Sequence, residues 1–199
     1  MTTETILHAH GLVLEPFVPA HAHALFAAMQ APELYTFIPH EPPASLERLR
    51  DRFVRLAARK NGDGTEVWLN YAVREATSPT YVRTVQATVV PSGESTIAYE
   101  VYPPFQRRGF ARAACRALIA HVFACWPVDA VHAYVDTRNV ASYRLLESLG
   151  FRRVRSVPNA DFFKGASSDE HVYALARVGG RAPTEGAELP IRVGEAPSA

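Results

Sequence analysis

The chain has 199 residues, 48% of them apolar, and its 21 Lys and Arg against 20 Asp and Glu leave a formal charge of +1. That length fits one domain, or one domain with a loose tail. A charge so near zero argues against nucleic acid as a partner, because phosphate neutralisation, which supplies most of the affinity for a duplex, needs a basic surplus.

No membrane span is expected. The longest apolar-leaning run, Cys115 to Trp126, contains Arg116 and His121 and falls well short of the ~18 residues a spanning helix needs. MTTETILHAH lacks a basic start followed by an apolar core, so no secretory signal is expected either.

In chain order, LVLEPFVP (12–19) reads as a first strand closed by Pro19. AHAHALFAAMQ (20–30) follows, with Ala22, Leu25, Phe26 and Met29 at helical spacing. His21 and His23, two apart on a helix, point in different directions, which argues against a metal. Residues 31–43 are loop-like, with three prolines in their second half. Ser45 then opens SLERLRDRFVRLAARK, where Leu46, Leu49, Phe53 and Leu56 form a stripe opposite Arg48, Arg52, Arg55 and Arg59. NGDG (61–64) is a turn signal. After it, EVWLNYAVR, YVRTVQATVV and TIAYEV have strand character, the last two separated by PSGES, which suggests an antiparallel meander.

From residue 109 the pattern becomes helix (109–126), strand (VHAYVD, 131–136), helix (140–149) and strand from Phe151. A last strand spans 170–178. Residues 179–199, rich in Gly, Pro and Ala, read as a mobile tail and leave 1–178 as the domain. The expected class is α/β in the α+β sense: one mixed sheet with helices on both faces. Cys115 and Cys125, ten residues apart on one helix, would lie ~15 Å apart, whereas a disulfide needs Cα atoms within ~7 Å. Two cysteines without a ligand cluster make no zinc site. A reducing cytoplasm suits such a chain.

The strand-to-helix turn FQRRGFARAA (105–114) carries the chemistry. A helix start leaves backbone N–H groups unpaired at the positive end of its dipole, which makes an anion site. Gly109 admits a close ligand, Ala111 and Ala113 let the helix start pack tightly, and Arg107, Arg108 and Arg112 add cationic donors. A phosphate or pyrophosphate suits this pattern, and so does an ordinary turn with exposed arginines. G-x-x-x-x-G-K-[ST] and G-x-G-x-x-G are both missing, so the common nucleotide loops do not apply.

Gln106-Arg107-Arg108-Gly109-Phe110-Ala111, a Q-x-x-G-x-A run, resembles the acetyl-CoA pyrophosphate loop of the GNAT N-acetyltransferases. NVASYRLLESLGFRRV (139–154) is similar to the N-x-x-S-x-x-x-x-E-x-x-G-F helix of their RimJ/RimL-like branch. The two occur in the family's order with VHAYVD between them. Similarity at LVLEPFVPAHAHALF and DEHVYAL extends the resemblance over residues 10–178. It implies a GNAT-like, mostly antiparallel sheet of six to seven strands, with acetyl-CoA as co-substrate and no metal. The implied activity is acetyl transfer to a primary amine, a protein N-terminus or a small molecule. A non-catalytic acyl-CoA sensor of the same fold is the alternative, and the resemblance leaves monomer and homodimer open.

The resemblance also implies roles. The strand TIAYEVYP would splay from its neighbour and pair with pantetheine through Val101 and Tyr102, the Val101 N–H holding the thioester oxygen. The loop from Gln106 to Arg112 would hold the diphosphate. Asn139 reads independently as a helix N-cap, with Gly150 ending that helix; by resemblance Asn139 also touches the cofactor, and Ser142 lies near the sulfur. Where many relatives carry a tyrosine acid this chain has Leu146, which leaves Ser142 and then Tyr143 as donors to the thiolate. Glu100, facing away from Ile97, Tyr99 and Val101 on its strand, is the candidate base. Tyr35, Phe37, His40, Glu41, Trp68 and Asn70 are the candidate acceptor residues.

Overall fold

A computed structural model describes residues 5–90 and 94–179. Three of the sequence expectations, part of the PSGES link, the tail from 180 onward and the start of the chain, lie outside the described residues.

Among the described residues, eight strands form one sheet in the order β1-β2-β3-β4-β5-β6-β8-β7, one more than the six to seven expected. The added strand is β1 (Leu7–Ala9), which pairs antiparallel with β2 (Leu12–Pro16). His10 and Gly11 join them, with φ of 38° and 76°, the left-handed pair that a two-residue hairpin needs. The meander is β3 (Val67–Glu75), β4 (Tyr81–Val90) and β5 (Glu94–Val101), all antiparallel. The other half holds β6 (Ala130–Asp136), β7 (Arg152–Phe163) and β8 (Ala166–Ala176), with β8 between β6 and the edge strand β7. Pro158 lies in β7, where an edge strand tolerates the missing N–H.

Helices cover both faces. Along β3, Leu69, Tyr71 and Val73 belong to one core and Ala72 to the other, the alternation a sheet buried on two sides requires. On the first face lies α3 (Phe110–Cys125), burying Ala114, Cys115, Leu118, Ile119 and Val122, with α4 (Val140–Ser148) beside it through Leu146. The second face holds α1 (His21–Leu25) and α2 (Leu46–Leu56). Ser45 caps α2 by accepting the Arg48 N–H at 3.1 Å, and Leu49, Phe53 and Leu56 turn inward. Each such apolar side chain contributes about 1.5–3 kcal/mol when fully buried. Phe53 stacks on Phe17 with centroids 4.4 Å apart.

The helix expected over 20–30 is shorter than its apolar spacing suggests. α1 ends at Leu25, and Ala28–Gln30 and Pro32–Tyr35 form 3-10 turns. The first strand likewise stops at Pro16 rather than Pro19.

Among the described residues no helix is long and apolar enough to cross a membrane, and no group of three or more His, Cys, Asp or Glu is placed to hold a metal ion. Cys115 and Cys125 are both free thiols.

Candidate active site

The sheet opens between β5 and β6. These two parallel strands meet at a single register pair, Thr96 with His132. Beyond it β5 stays with β4 and β6 with β8. The Tyr102 N–H donates to Val82 O at 3.2 Å. With the regular β4–β5 register, antiparallel alternation then turns the N–H and C=O groups of Tyr99 and Val101 away from β4, into the fork, while the Ile97 N–H faces β6 at the Thr96–His132 bridge. The Val101 carbonyl there accepts the Gln106 side-chain amide at 3.3 Å. A strand edge is thus left free to receive an extended ligand with amide groups of its own.

At the mouth of the fork the chain turns into α3. Gly109 is its N-cap, with φ of 78° and no side-chain hydrogen bond to the helix start. A Cβ built there would meet nothing within 4 Å. Arg107 is also left-handed, at φ 60°. Left-handed residues at 107 and 109 flank Arg108, the kind of turn whose backbone N–H groups can form a nest for an anion. The dipole of a 16-residue helix adds its positive end to the same turn. Arg108 is partly committed elsewhere: its guanidinium lies 4.6 Å from the Phe110 ring centroid, and its Nη2 is 3.3 Å from Glu75.

α4 forms the far wall. The Asn139 side chain accepts the Ser142 N–H at 3.1 Å and so caps the helix. Ser142 is itself held by Tyr99 of β5. The phenol oxygen lies 2.8 Å from Ser142 Oγ and 3.0 Å from Ser142 O. Burial pushes the Tyr99 phenol well above its ordinary value, opposed by the Ser142 hydrogen bond, so it remains protonated and acts as a neutral donor.

One cavity of about 940 Å³ runs through these elements. Its first part is lined by Val101, the whole run Gln106 to Arg112, Asn139 and Ser142. It continues to the α2 face of the sheet, over Thr84, Gln86 and Glu100, toward Glu33, Phe37 and Arg52. Thr84 Oγ1 donates to Glu100 Oε2 at 3.1 Å. The negative charge of Glu100 adds to burial in raising the phenols of Tyr35 and Tyr102.

The cavity therefore gathers Val101, the 106–112 loop, Asn139, Ser142, Glu100, Phe37 and His40. Other candidates stand apart from it. Tyr102 is fully buried in the α1/α2 core. Tyr143 turns to the other side of α4, with its ring centroid 6.1 Å from that of His171. The buried Tyr35 donates its hydroxyl to Met29 O at 2.8 Å. The Trp68 indole N–H donates to Glu66 at 2.7 Å, and Asn70 is buried on the same strand. Glu41 lies at the rim, 3.8 Å from Lys164. Sequence reasoning passed over Tyr99, Thr84 and Arg52. Tyr99 counted there only as an apolar-face residue, and nothing local distinguishes it from the other strand tyrosines.

A forked sheet, an uncapped glycine-led helix start and a cavity joining them define an acyl-carrier-dependent group-transfer enzyme. The chain belongs to the acetyltransferase (GNAT) family, whose domain model matches residues 11–152. By class it is an acetyl-CoA-dependent acetyltransferase. The uncharacterized N-acetyltransferase YoaA of Bacillus subtilis (strain 168) is 24% identical over 177 residues, spanning 86% of this chain and 97% of that protein. Among solved structures, a GNAT-family acetyltransferase from Bacillus anthracis superposes with a TM-score of 0.75 at 18% identity, over 86% of this chain and 98% of that one. RimL, a ribosomal-protein alpha-N-acetyltransferase in complex with coenzyme A, gives 0.77 at 17%, over 86% and 98%. The microcin self-immunity acetyltransferase MccE, in complex with acetyl-CoA and AMP, gives 0.74 at 14%, over 84% and 93%.

Proposed function

We propose that this protein moves an acetyl group from acetyl-CoA to a primary amine, on a protein N-terminus or a small molecule, by direct attack on the thioester. The observation that carries the reading is the continuity of one cavity, from the Gly109 nest past Ser142 to Glu100. The N-x-x-S-x-x-x-x-E-x-x-G-F helix and the RimL likeness support placing it in the RimJ/RimL-like branch.

The residues fit the carrier. The uncapped N–H groups at the start of α3 bind the diphosphate, with Arg107 and Arg112 adding charge. The outward backbone groups of β5 pair with the pantetheine amides. Acetyl-CoA, when bound, would supply the acetyl group as an activated thioester. The Val101 N–H donates to the carbonyl oxygen as negative charge gathers on it. Glu100, held by Thr84, takes the proton of the incoming ammonium directly or through water. Ser142 donates a hydrogen bond toward the departing sulfur. The amine enters over Glu33, Phe37 and Arg52, residues contributed by the loop before α2 and by α2 itself.

Thermal shifts with acetyl-CoA, coenzyme A and ATP test the carrier: stabilisation by ATP but not by coenzyme A overturns the reading. Thiol release with a panel of amines tests the transfer. Tight binding of acetyl-CoA without release above background for any amine favours a non-catalytic acyl-CoA sensor.

A further inference from the structure

Arg83 of β4 is fully buried. Its Nη2 lies 3.6 Å from the buried Cys115 thiol, while Nε and Nη1 have no hydrogen-bond partner among the described residues. Its guanidinium carbon sits 5.5 Å from the Tyr99 ring centroid. A desolvated cation without a carboxylate is costly to the fold, and Arg83, though not itself on the cavity wall, lies over Tyr99, which is. The next group outward from Tyr99 is Ser142, on the cavity wall.

We propose that Arg83 and Tyr99 are positioning residues that arm the Ser142 hydroxyl as hydrogen-bond donor to the departing thiolate. They thereby fill the place that a tyrosine at Leu146 would take. This rests on the acetyltransferase reading above.

Hydrogen counting supports the relay. The Tyr99 phenol has one hydrogen and two contacts on Ser142, the carbonyl oxygen at 3.0 Å and Oγ at 2.8 Å. A carbonyl oxygen only accepts. At rest the phenol donates to Ser142 O, and the serine hydroxyl donates to the phenol oxygen. As the C–N bond forms and the C–S bond breaks, the serine hydrogen turns to the sulfur and the phenol hydrogen turns to Ser142 Oγ. No proton changes owner within the relay. The ammonium loses one proton to Glu100 or water before attack, the nitrogen loses its second by the same route as the C–S bond breaks, and the thiolate is protonated from solvent. The buried charge of Arg83, in a low-dielectric setting, favours the negative charge that the chain of hydroxyls spreads toward it. Leu146 is fully buried in the core under α4 and takes no part.

The test is a double-mutant cycle on Tyr99→Phe and Ser142→Ala, with Arg83→Met alongside. Each single change is expected to lower kcat about tenfold, the effect of one such hydrogen bond, with KM for acetyl-CoA nearly unchanged. The double variant should be no slower than the slower single one. Calorimetry near pH 8.5, where about half of a free thiol is ionised, should show Tyr99→Phe weakening coenzyme A and leaving acetyl-CoA unchanged. Without ligand, Arg83→Met should melt at a higher temperature than wild type, since it removes a lone buried charge. Multiplicative losses in the double variant, or full kcat in Tyr99→Phe, overturn the relay. A more stable Arg83→Met with full kcat removes Arg83 from it. If Arg83→Met does not fold, the Tyr99–Ser142 cycle decides. Wild type that ignores coenzyme A overturns the functional reading, whereas wild type that turns over alongside a fully active Tyr99→Phe overturns the relay alone.

Discussion

Thr84 and Glu100 face each other across the β4–β5 ladder, and the threonine hydroxyl donates to the carboxylate at 3.1 Å. Both line the cavity, so the pairing fixes a carboxylate at the end of the cavity where we propose the amine enters. The cost of removing it depends on the amine. Deprotonating an α-amine near pH 7 costs ~1 kcal/mol, and a lysine side chain ~4–5 kcal/mol. For Glu100→Gln we expect kcat/KM to fall within about tenfold with an α-amine acceptor and about 100-fold with a lysine-like one. The loss should shrink as pH rises toward the amine pKa. Steady-state kinetics across pH with paired acceptors checks this; equal losses at all pH values remove Glu100 as the base.

At Gly109 two effects can be separated. The position is left-handed, which costs an L-residue roughly 1–2 kcal/mol, yet nothing within 4 Å obstructs a Cβ. Gly109→Ala therefore measures the backbone penalty. Gly109→Glu adds negative charge where the helix dipole awaits an anion. We expect the alanine variant to retain coenzyme A binding with a lower Tm. The glutamate variant should fold and lose at least about 100-fold in affinity, through like-charge repulsion at a desolvating site. Calorimetry and thermal melting on both variants make the comparison.

The sequence was informative where periodicity and end signals agree. Ser45 before an amphipathic run, the three-strand meander and Asn139 with Gly150 around α4 all stand where the residue pattern put them. It was silent on β1, because three residues are too few to show alternation. The acceptor side was harder to read. Trp68 and Asn70 belong to β3, two strands from β5, and at ~4.8 Å per strand that is about 10 Å from the fork. Tyr35 ends a 3-10 turn that aims it at the core, while Phe37, two residues on, lines the cavity. Tyr143 is one residue from Ser142, a rotation of about 100° around the helix, which turns it toward β8. Tyr99 was missed because only the tertiary approach of β5 to α4 gives its hydroxyl a partner.

Stability should depend on pH in two steps. Burial holds His21 and His132 below the ordinary histidine value, outweighing the Glu15 hydrogen bond to His21. The Val18 N–H donates to His21 Nδ1, so the neutral ring carries its proton on Nε2, toward Glu15. The unfolded chain then binds more protons below about pH 6.5, and stability falls as pH drops through that range. A second loss follows below about pH 4. Burial disfavours the Asp136 and Glu15 carboxylates, but hydrogen bonds from Arg138 and Ser168, and from Tyr81 and Arg74, outweigh it and hold both below their usual range. Their contribution is present above the unfolded value and lost as pH falls through the folded one. Urea titrations from pH 8 to 3 should show both steps, and Asp136→Asn should flatten the second. A stability that rises between pH 7 and 5 would contradict this account.

Lys164 ties the β7–β8 edge of the sheet to the segment from Tyr35 to Glu41. It sits in the two-residue turn between β7 and β8, where φ is 52° at Lys164 and 75° at Gly165, and its ammonium donates to the Tyr35 carbonyl. Glu41 lies 3.8 Å from the same group. The held segment carries Phe37, Ile38 and His40 along the cavity wall, whereas the turn around Gly109, where we propose the diphosphate binds, is a separate part of the chain. Lys164→Ala should free this wall. The expected result is a several-fold higher KM for the amine, with coenzyme A affinity unchanged and stability lowered by about 1 kcal/mol or less, because the tie is only partly buried. Bisubstrate kinetics separates the two: a rise in KM for acetyl-CoA alone would show that the hairpin supports the carrier rather than the acceptor.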